Sequence, residues 1–384
     1  MSTQFTTAGC AVMGENALED AAGKIAALGS KALIITGKHI TASGIIRMLA
    51  DLLEQKSIRY SIFNEITGEP TDKMVEMAVS AYKAEKCDFI IGIGGGSPLD
   101  SAKACAAMSV LDGRIPDYAG KEIVGNLPPL VLIPTTAGTG SEVTKFTVIT
   151  DTASDVKMLL KGEALLPDLA VVDPKLTYGA PKSVVAATGI DALTHAVEAY
   201  TSKKATPMTD ILALSAIKRI FTYLPRSYKD KNDAEAHDEM AIAAYEAGIC
   251  INNSSVTVVH GMSRPIGALF HVPHGVSNAM LIVTCLDYVL DGCYGRFAEI
   301  ARQIGAAGKN LDDEHAAHKF IDALKELIKA VEIPTTREYG LDMDRFEALS
   351  DKMAGDALAS GSPSNTRKSL SKSDILAMYR RATM

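Results

Sequence analysis

The chain has 384 residues, 47% of them hydrophobic, enough for two domains that each bury a core of their own. Its formal net charge of −7 and its lack of tryptophan argue against a nucleic-acid partner, which a basic surface with stacking aromatics would mark. No apolar run approaches the ~20 residues of a membrane helix, and MSTQFTTAGC has no basic stretch leading into an apolar core, so neither a membrane nor a secretory leader is expected.

In chain order, KALIITG (31–37) reads as a strand, ASGIIRMLADLLEQ (42–55) as a helix, RYSIFNEI (59–66) as a strand and TDKMVEMAVSAYKAEK (71–86) as a helix. CDFIIGIGGGS (87–97) is a strand running into glycines, and PLDSAKACAAMSV (98–110) is a helix with proline near its first position. Strand-like runs follow at 129–135, 144–151, 155–161 and 168–174. This β-α alternation predicts an α/β domain with a parallel sheet over residues 1–180. Beyond Pro181 the runs 184–202, 207–225, 234–250, 294–305 and 316–333 all have helical periodicity, so 181–384 is expected to be an all-α domain. SGSPSNTRKSLSKSD (360–374) reads as a mobile surface loop. The six cysteines have neither C-x-x-C nor zinc-finger spacing and read as free thiols of a reducing, cytoplasmic compartment.

GIGGGSPLDSAK (92–103) stands between a predicted strand and a predicted helix. Glycines there let the backbone approach a pyrophosphate, and the helix start offers unpaired N–H groups. It departs from the usual dinucleotide fingerprint, because Ser97 occupies the third glycine position. IPTTAGTGSEVTK (133–145) follows another strand with hydroxyls and small residues, and two such loops at strand ends would face one crevice.

In TGIDALTHAVEAY (188–200), Asp191 and His195 are four apart and share one helix face. VVHGMSRPIGALFHVPHGVSN (258–278) adds His260, His271 and His274. One carboxylate and several imidazoles suit Fe²⁺ or Zn²⁺, whereas Mg²⁺ or Ca²⁺ wants more oxygens. His237, in a polar connection, His315 and His318, among charged neighbours, and His39 after a strand read as unrelated to that set.

GGGSPLDSAK, PTTAGTGSEVT, LLPDLAVVDP, ATGIDALTHAVEAY and HGMSRPIGALFHVPHG, in this order, resemble the iron-containing (group III) alcohol dehydrogenase family along nearly the whole chain. The resemblance implies an N-terminal dinucleotide-binding domain, a helical metal-binding domain and a site in the cleft between them. It implies that Asp191, His195, His260 and His274 bind iron, with zinc as the alternative. It assigns NAD(H) contacts to Gly95, Gly96, Ser97 and Asp100 and to Thr135, Thr136 and Thr139, joined by Lys157 and Leu176. Gly37, followed by Lys38 and His39, stands where many members carry an aspartate that disfavours the 2′-phosphate of NADP(H), so use of NADP(H) is also expected. Glu69 stands where many have asparagine and is placed to accept bonds from ribose hydroxyls. Arg264 stands where many have a histidine, so either His271 takes over the proton relay or the relay runs through the cofactor ribose and water. Arg264 is then either a structural arginine or a grip on an anionic substrate tail, and Phe146 replaces a smaller or polar pocket residue.

The expected reaction is hydride transfer between nicotinamide and a short primary alcohol or aldehyde, with the metal as Lewis acid. A reductase of a short anionic aldehyde, such as a semialdehyde or sulfoacetaldehyde, is the first alternative. A metal- and NAD-dependent lyase of the dehydroquinate-synthase-like fold is the remoter one, because it wants several basic residues near the metal. A homodimer or higher homo-oligomer is expected.

Overall fold

A computed structural model describes residues 4–154 and 156–383, in two compact units, Met1–Ala180 and Pro181–Met384. The first unit runs β1 (Cys10–Met13), α1 (Ala17–Ala26), β2 (Lys31–Ile35), α2 (Lys38–Ala42), α3 (Ile45–Gln55), β3 (Arg59–Phe63), α4 (Asp72–Ala84), β4 (Phe89–Gly94), α5 (Gly96–Val110), β5 (Leu130–Pro134), β6 (Phe146–Asp151), β7 (Val156–Lys161) and β8 (Leu169–Val172). Six strands form one sheet in the order β1-β8-β5-β4-β2-β3, every pair parallel. The central strands FIIGIG and LVLIP are buried throughout, as strands covered on both faces must be. Successive residues alternate between two cores: Ile34, Ile91 and Val131 pack with α1 and α3, while Leu33, Ile90 and Leu132 pack with α5.

The sequence reading missed β1 and α1. A four-residue edge strand with alternate residues half exposed leaves little apolar signal. The helix expected over 42–55 is α3, which starts at Ile45 because Gly44 turns left-handed (φ 89°); the short α2 before it was not expected. β6 and β7 form a separate antiparallel hairpin, and Asp155, read as the start of the second strand, lies outside the described residues.

The second unit contains α6 (Lys182–Thr201), α7 (Pro207–Lys229), α8 (Ala234–Asn253), α9 (Val258–Phe270), α10 (His274–Val289), α11 (Tyr294–Gln303), α12 (Asp313–Ala330), α13 (Met343–Ala359) and α14 (Lys372–Ala382). α6 is buried along almost its whole length from Ala186, which fits a helix at the centre of a bundle. His237, read as part of a polar connection, is a buried residue of α8. The segment 360–374 is not a loose loop: Ser362 and Pro363 are buried, Asn365 Nδ2 donates to Val256 O at 3.1 Å, and Ser202 bridges Thr366. Among the described residues no helix is long and apolar enough to cross a membrane.

Candidate active site

Three helices of the second unit bring four donors together. α6 carries Asp191 and His195 one turn apart, α9 carries His260 in its first turn, and His274 is the first residue of α10. Nε2 of His195, His260 and His274 lies 3.8, 3.7 and 3.8 Å from Asp191 Oδ1. All four ligand atoms fall within 4.8 Å of one another. Four ligands at metal–nitrogen bonding distance in a tetrahedron stand about 3.4 Å apart, so these residues fit a transition-metal ion with little movement.

The glycine after each of two histidines makes this approach possible. A Cβ on Gly275 would lie 2.9 Å from Ala187 O on α6, and one on Gly261 would lie 2.7 Å from Pro363. The buried turn at Pro363 is therefore part of the wall that seats His260.

Two residues at the centre were not found from sequence. Asn278 Nδ2 donates to Asp191 Oδ1 at 2.7 Å and lies 3.1 Å from Nε2 of both His260 and His274. An amide NH₂ has no lone pair to offer, so these nitrogens face the centre as acceptors. Glu198, fully buried, accepts from Thr257 Oγ1 and Val259 N, both at 2.7 Å, and meets His260 Nδ1 at 2.6 Å. Both were within reach of a spacing argument: Glu198 is three residues after His195 on α6, and Asn278 is four after His274 on α10.

Burial opposes the charge on Asp191, but His195, His274, His260 and the Asn278 amide outweigh it and hold the carboxyl below its ordinary range. Burial, with His195 beside it, pushes His260 far below the usual imidazole value, which keeps it neutral as a metal ligand must be. Asp191, His195 and His260 have at most 5% of their side chains exposed, while His274 has 40%. The donor set is thus closed on one side and open on the other. Structural metal sites close completely, and catalytic ones keep a position open.

In the first unit, β4 and β5 end side by side with Gly94 opposite Pro134, so the loops after them emerge as neighbours at the carboxyl edge of the sheet. The strand order turns between β2 and β4, the place where open α/β sheets hold ligands. Gly94 has φ 149°, and a Cβ there would lie 2.7 Å from Pro98; on Gly96 it would lie 3.0 Å from Thr139 Cγ2. Gly95 and Gly96, with no side chains to cover them, leave the backbone at the start of α5 bare beside Thr136, whose hydroxyl is buried without a partner. Such a cradle fits a pyrophosphate.

The iron-containing alcohol dehydrogenase family profile matches residues 10–174, and the C-terminal profile of the Fe-containing alcohol dehydrogenase family matches 185–383. The chain is 36% identical over 364 residues to the NAD-dependent methanol dehydrogenase of Bacillus methanolicus, covering 94% of this chain and 96% of that one. Its fold is similar to that of a 1,3-propanediol oxidoreductase (TM-score 0.96, 34% identity, 100% of both chains). It is also similar to sulfoacetaldehyde reductase from Bifidobacterium kashiwanohense in complex with NAD⁺ (TM-score 0.87, 27% identity, 100% of this chain and 99% of that one). The chain belongs to the iron-containing alcohol dehydrogenase family. It is an oxidoreductase of the alcohol dehydrogenase type.

The remaining residues of this alcohol dehydrogenase take varied positions. Asp100 uses its side chain internally, accepting from Ser141 Oγ at 2.6 Å and Val148 N at 2.8 Å, so it fastens the second loop to α5 instead of presenting a free carboxylate. Glu69 and Lys157 pair with each other at 2.5 Å. Leu176 is buried in the core beside α1. Gly37 caps α2 at the end of β2. His271 is exposed and closes α9 in the left-handed region (φ 55°), which is uncommon for a residue other than glycine. Arg264 is half-buried, with Nη1 donating to Ser362 Oγ at 3.0 Å, and burial lowers its pKa. His315, read as unrelated to the metal set, is exposed and forms an ion pair with Asp312 at 2.8 Å.

Proposed function

We propose that the protein interconverts a short primary alcohol and its aldehyde, using NAD(H) and a divalent iron held by Asp191, His195, His260 and His274. The observation that carries this reading is the open face of the donor set at His274, with the other three ligands buried. Iron held there supplies a Lewis acid for the substrate oxygen, and NAD(H) supplies the hydride partner; zinc satisfies the same donors.

Gly95, Gly96 and Ser97, with Thr135, Thr136 and Thr139, cradle the pyrophosphate, and Asp100 holds their loops in register. Glu69, Lys157 and Leu176 bound the nucleoside side. Gly37, which carries no carboxylate, leaves room for NADP(H) as well. His271, exposed and held in a strained turn, is the candidate to carry the proton between the pocket and water. The six cysteines are all free, which suits a cytoplasmic location. Met208 and Ile211, 58% and 69% exposed and three residues apart on α7, give a homo-oligomer an apolar contact.

Arg264 decides between a neutral and an anionic substrate. Its bond to Ser362 ties α9 to the turn that packs on Gly261, which supports an anchoring role and a neutral substrate. The test is kcat/KM for a panel of neutral and anionic aldehydes with NADH and NADPH, on metal-quantified protein prepared without oxygen. Neutral aldehydes are expected to be preferred, and Arg264→Gln is expected to leave the anionic-to-neutral ratio unchanged. A charge-assisted bond is worth enough to set about a tenfold preference or more. A preference of that size for succinic semialdehyde or sulfoacetaldehyde, abolished in Arg264→Gln, would establish the anionic reading instead.

A further inference from the structure

We infer that Glu198 is a positioning residue for the metal, fixing His260 in the tautomer that turns a lone pair toward the other ligands. The inference rests on the metal reading above and names a residue that the ligand set itself does not include.

Three donors converge on the Glu198 carboxylate. Val259 N–H and the Thr257 hydroxyl reach Oε1, and His260 Nδ1 reaches Oε2. Val259 N–H can only donate. That makes Oε1 an acceptor, and the Asn278 amide NH₂, 3.1 Å from His260 Nε2, makes Nε2 an acceptor as well; a neutral imidazole that accepts at Nε2 carries its proton on Nδ1 and donates it to Oε2, so Glu198 is a carboxylate. Nε2 is then left unprotonated, with its lone pair toward Asp191, 3.7 Å away. Hydrogen bonds from the far nitrogen of a ligating imidazole set its tautomer and orientation in this way. His195 Nδ1, by contrast, is buried without a partner. The same carboxylate joins α6 to the first turn of α9, so the residue that sets the proton also sets the helix that carries the ligand.

Glutamine is nearly isosteric with glutamate but cannot replace it here. If its oxygen keeps Val259 N–H and Thr257, its NH₂ faces Nδ1, and the imidazole proton must move to Nε2, the atom a metal needs. If the amide turns over, NH₂ faces Val259 N–H, and two donors oppose each other. Either arrangement costs metal affinity.

The experiment measures Zn²⁺ affinity, and Fe²⁺ affinity without oxygen, by chelator competition on four proteins: wild type, Glu198→Gln, Thr257→Val and His260→Ala. Glu198→Gln is expected to bind about 10- to 100-fold more weakly. Thr257→Val, which removes a neighbouring bond on Oε1 but leaves the contact with His260, is expected to stay within about twofold of wild type. His260→Ala separates the two readings. If it binds metal like wild type, the metal assignment itself is wrong. If it loses metal while Glu198→Gln binds within twofold of wild type, the metal assignment stands and the role of Glu198 is overturned. Metal-free wild type labelled with ¹⁵N-histidine gives an answer that does not depend on the folding of Glu198→Gln. The imidazole signals missing from His260→Ala must be those of an Nδ1–H tautomer, and an Nε2–H pattern overturns the inference.

Discussion

Both units bury charge, and they do so differently. In the first, Lys103 is fully buried under the cofactor loops and gives its ammonium to Thr144 O at 2.7 Å, Thr144 Oγ1 at 3.1 Å and Phe146 O at 2.8 Å, with Asp100 and Glu142 nearby. The ammonium there finds three acceptors within the protein, and it fastens α5 to the chain entering β6. In the second, Asp191 and three imidazoles turn acceptors toward one point, where the Asn278 amide donates. A cluster that satisfies itself is a scaffold. A cluster with a surplus of acceptors on one point is arranged for a cation.

The largest expected effect breaks the second cluster alone. His260→Ala removes one acceptor from a set that needs all four. Bound metal should be lost, and turnover should fall at least about a thousandfold, the scale of several kcal/mol of lost transition-state stabilisation. The affinity for NAD⁺, measured by fluorescence or calorimetry, should stay close to wild type, because the pyrophosphate cradle lies in the first unit. Equal metal content in the two proteins would show that the convergence of donors has another purpose.

The next effect belongs to the scaffold cluster and appears as pH dependence. Burial pushes the Glu142 carboxyl up from 4.5 to about 7. Between those values the unfolded chain has lost the proton and the folded chain keeps it, so stability falls as pH rises through that window, by about 3 kcal/mol. Burial lowers Lys103 from 10.5 to about 8, and by the same reasoning stability recovers as pH rises from 8 to 10.5. Glu142→Gln removes the fall between 4.5 and about 7, and its effect on Lys103 lies in the separate alkaline window. Its unfolding free energy should gain on wild type progressively from pH 5 to pH 7, with metal binding unaltered. Parallel stability profiles for the two proteins would mean that Glu142 is ionised at all these pH values.

What could be read from the sequence follows the same division. β4 and β5 are legible because strands covered on both faces are unbroken apolar runs, and the glycines after β4 mark where backbone must stay bare. The part Asp100 plays was not legible, since a motif gives a residue type and not the direction of its side chain. In the second unit, imidazoles and a carboxylate announced the metal chemistry by type. Glu198 and Asn278 stand one turn from ligands on their own helices, so spacing could mark them as candidates, but the partners of each are known only once the helix across from it is placed. The segment 360–374 failed for a related reason. Serine, proline and glycine mark irregular backbone, which is not the same as exposure, and Pro363 is buried against Gly261.

The smallest expected effect sharpens the comparison at the end of β2, where a charge is absent. Gly37 brings no carboxylate near the ribose, and Lys38 follows it. Lys38 pairs with Glu65 at 3.1 Å, but the side chains are 63% and 44% exposed, and a surface pair of this kind is too weak to withhold the lysine from a phosphate. Turnover with NADPH should therefore be measurable beside that with NADH. Gly37→Asp restores the repulsion, though with a steric cost: a Cβ there would lie 2.9 Å from Ile66 O, so backbone must shift. That strain should lower stability by about 1 kcal/mol and weaken both cofactors alike. Repulsion acts on the 2′-phosphate only. The ratio of kcat/KM for NADH over NADPH consequently isolates the charge from the strain, and it should rise by about tenfold, as one like-charge contact in a partly solvated site requires. A uniform loss with an unchanged ratio would assign Gly37 a purely steric role. Absence of NADPH turnover in wild type would place the discrimination elsewhere on the first unit.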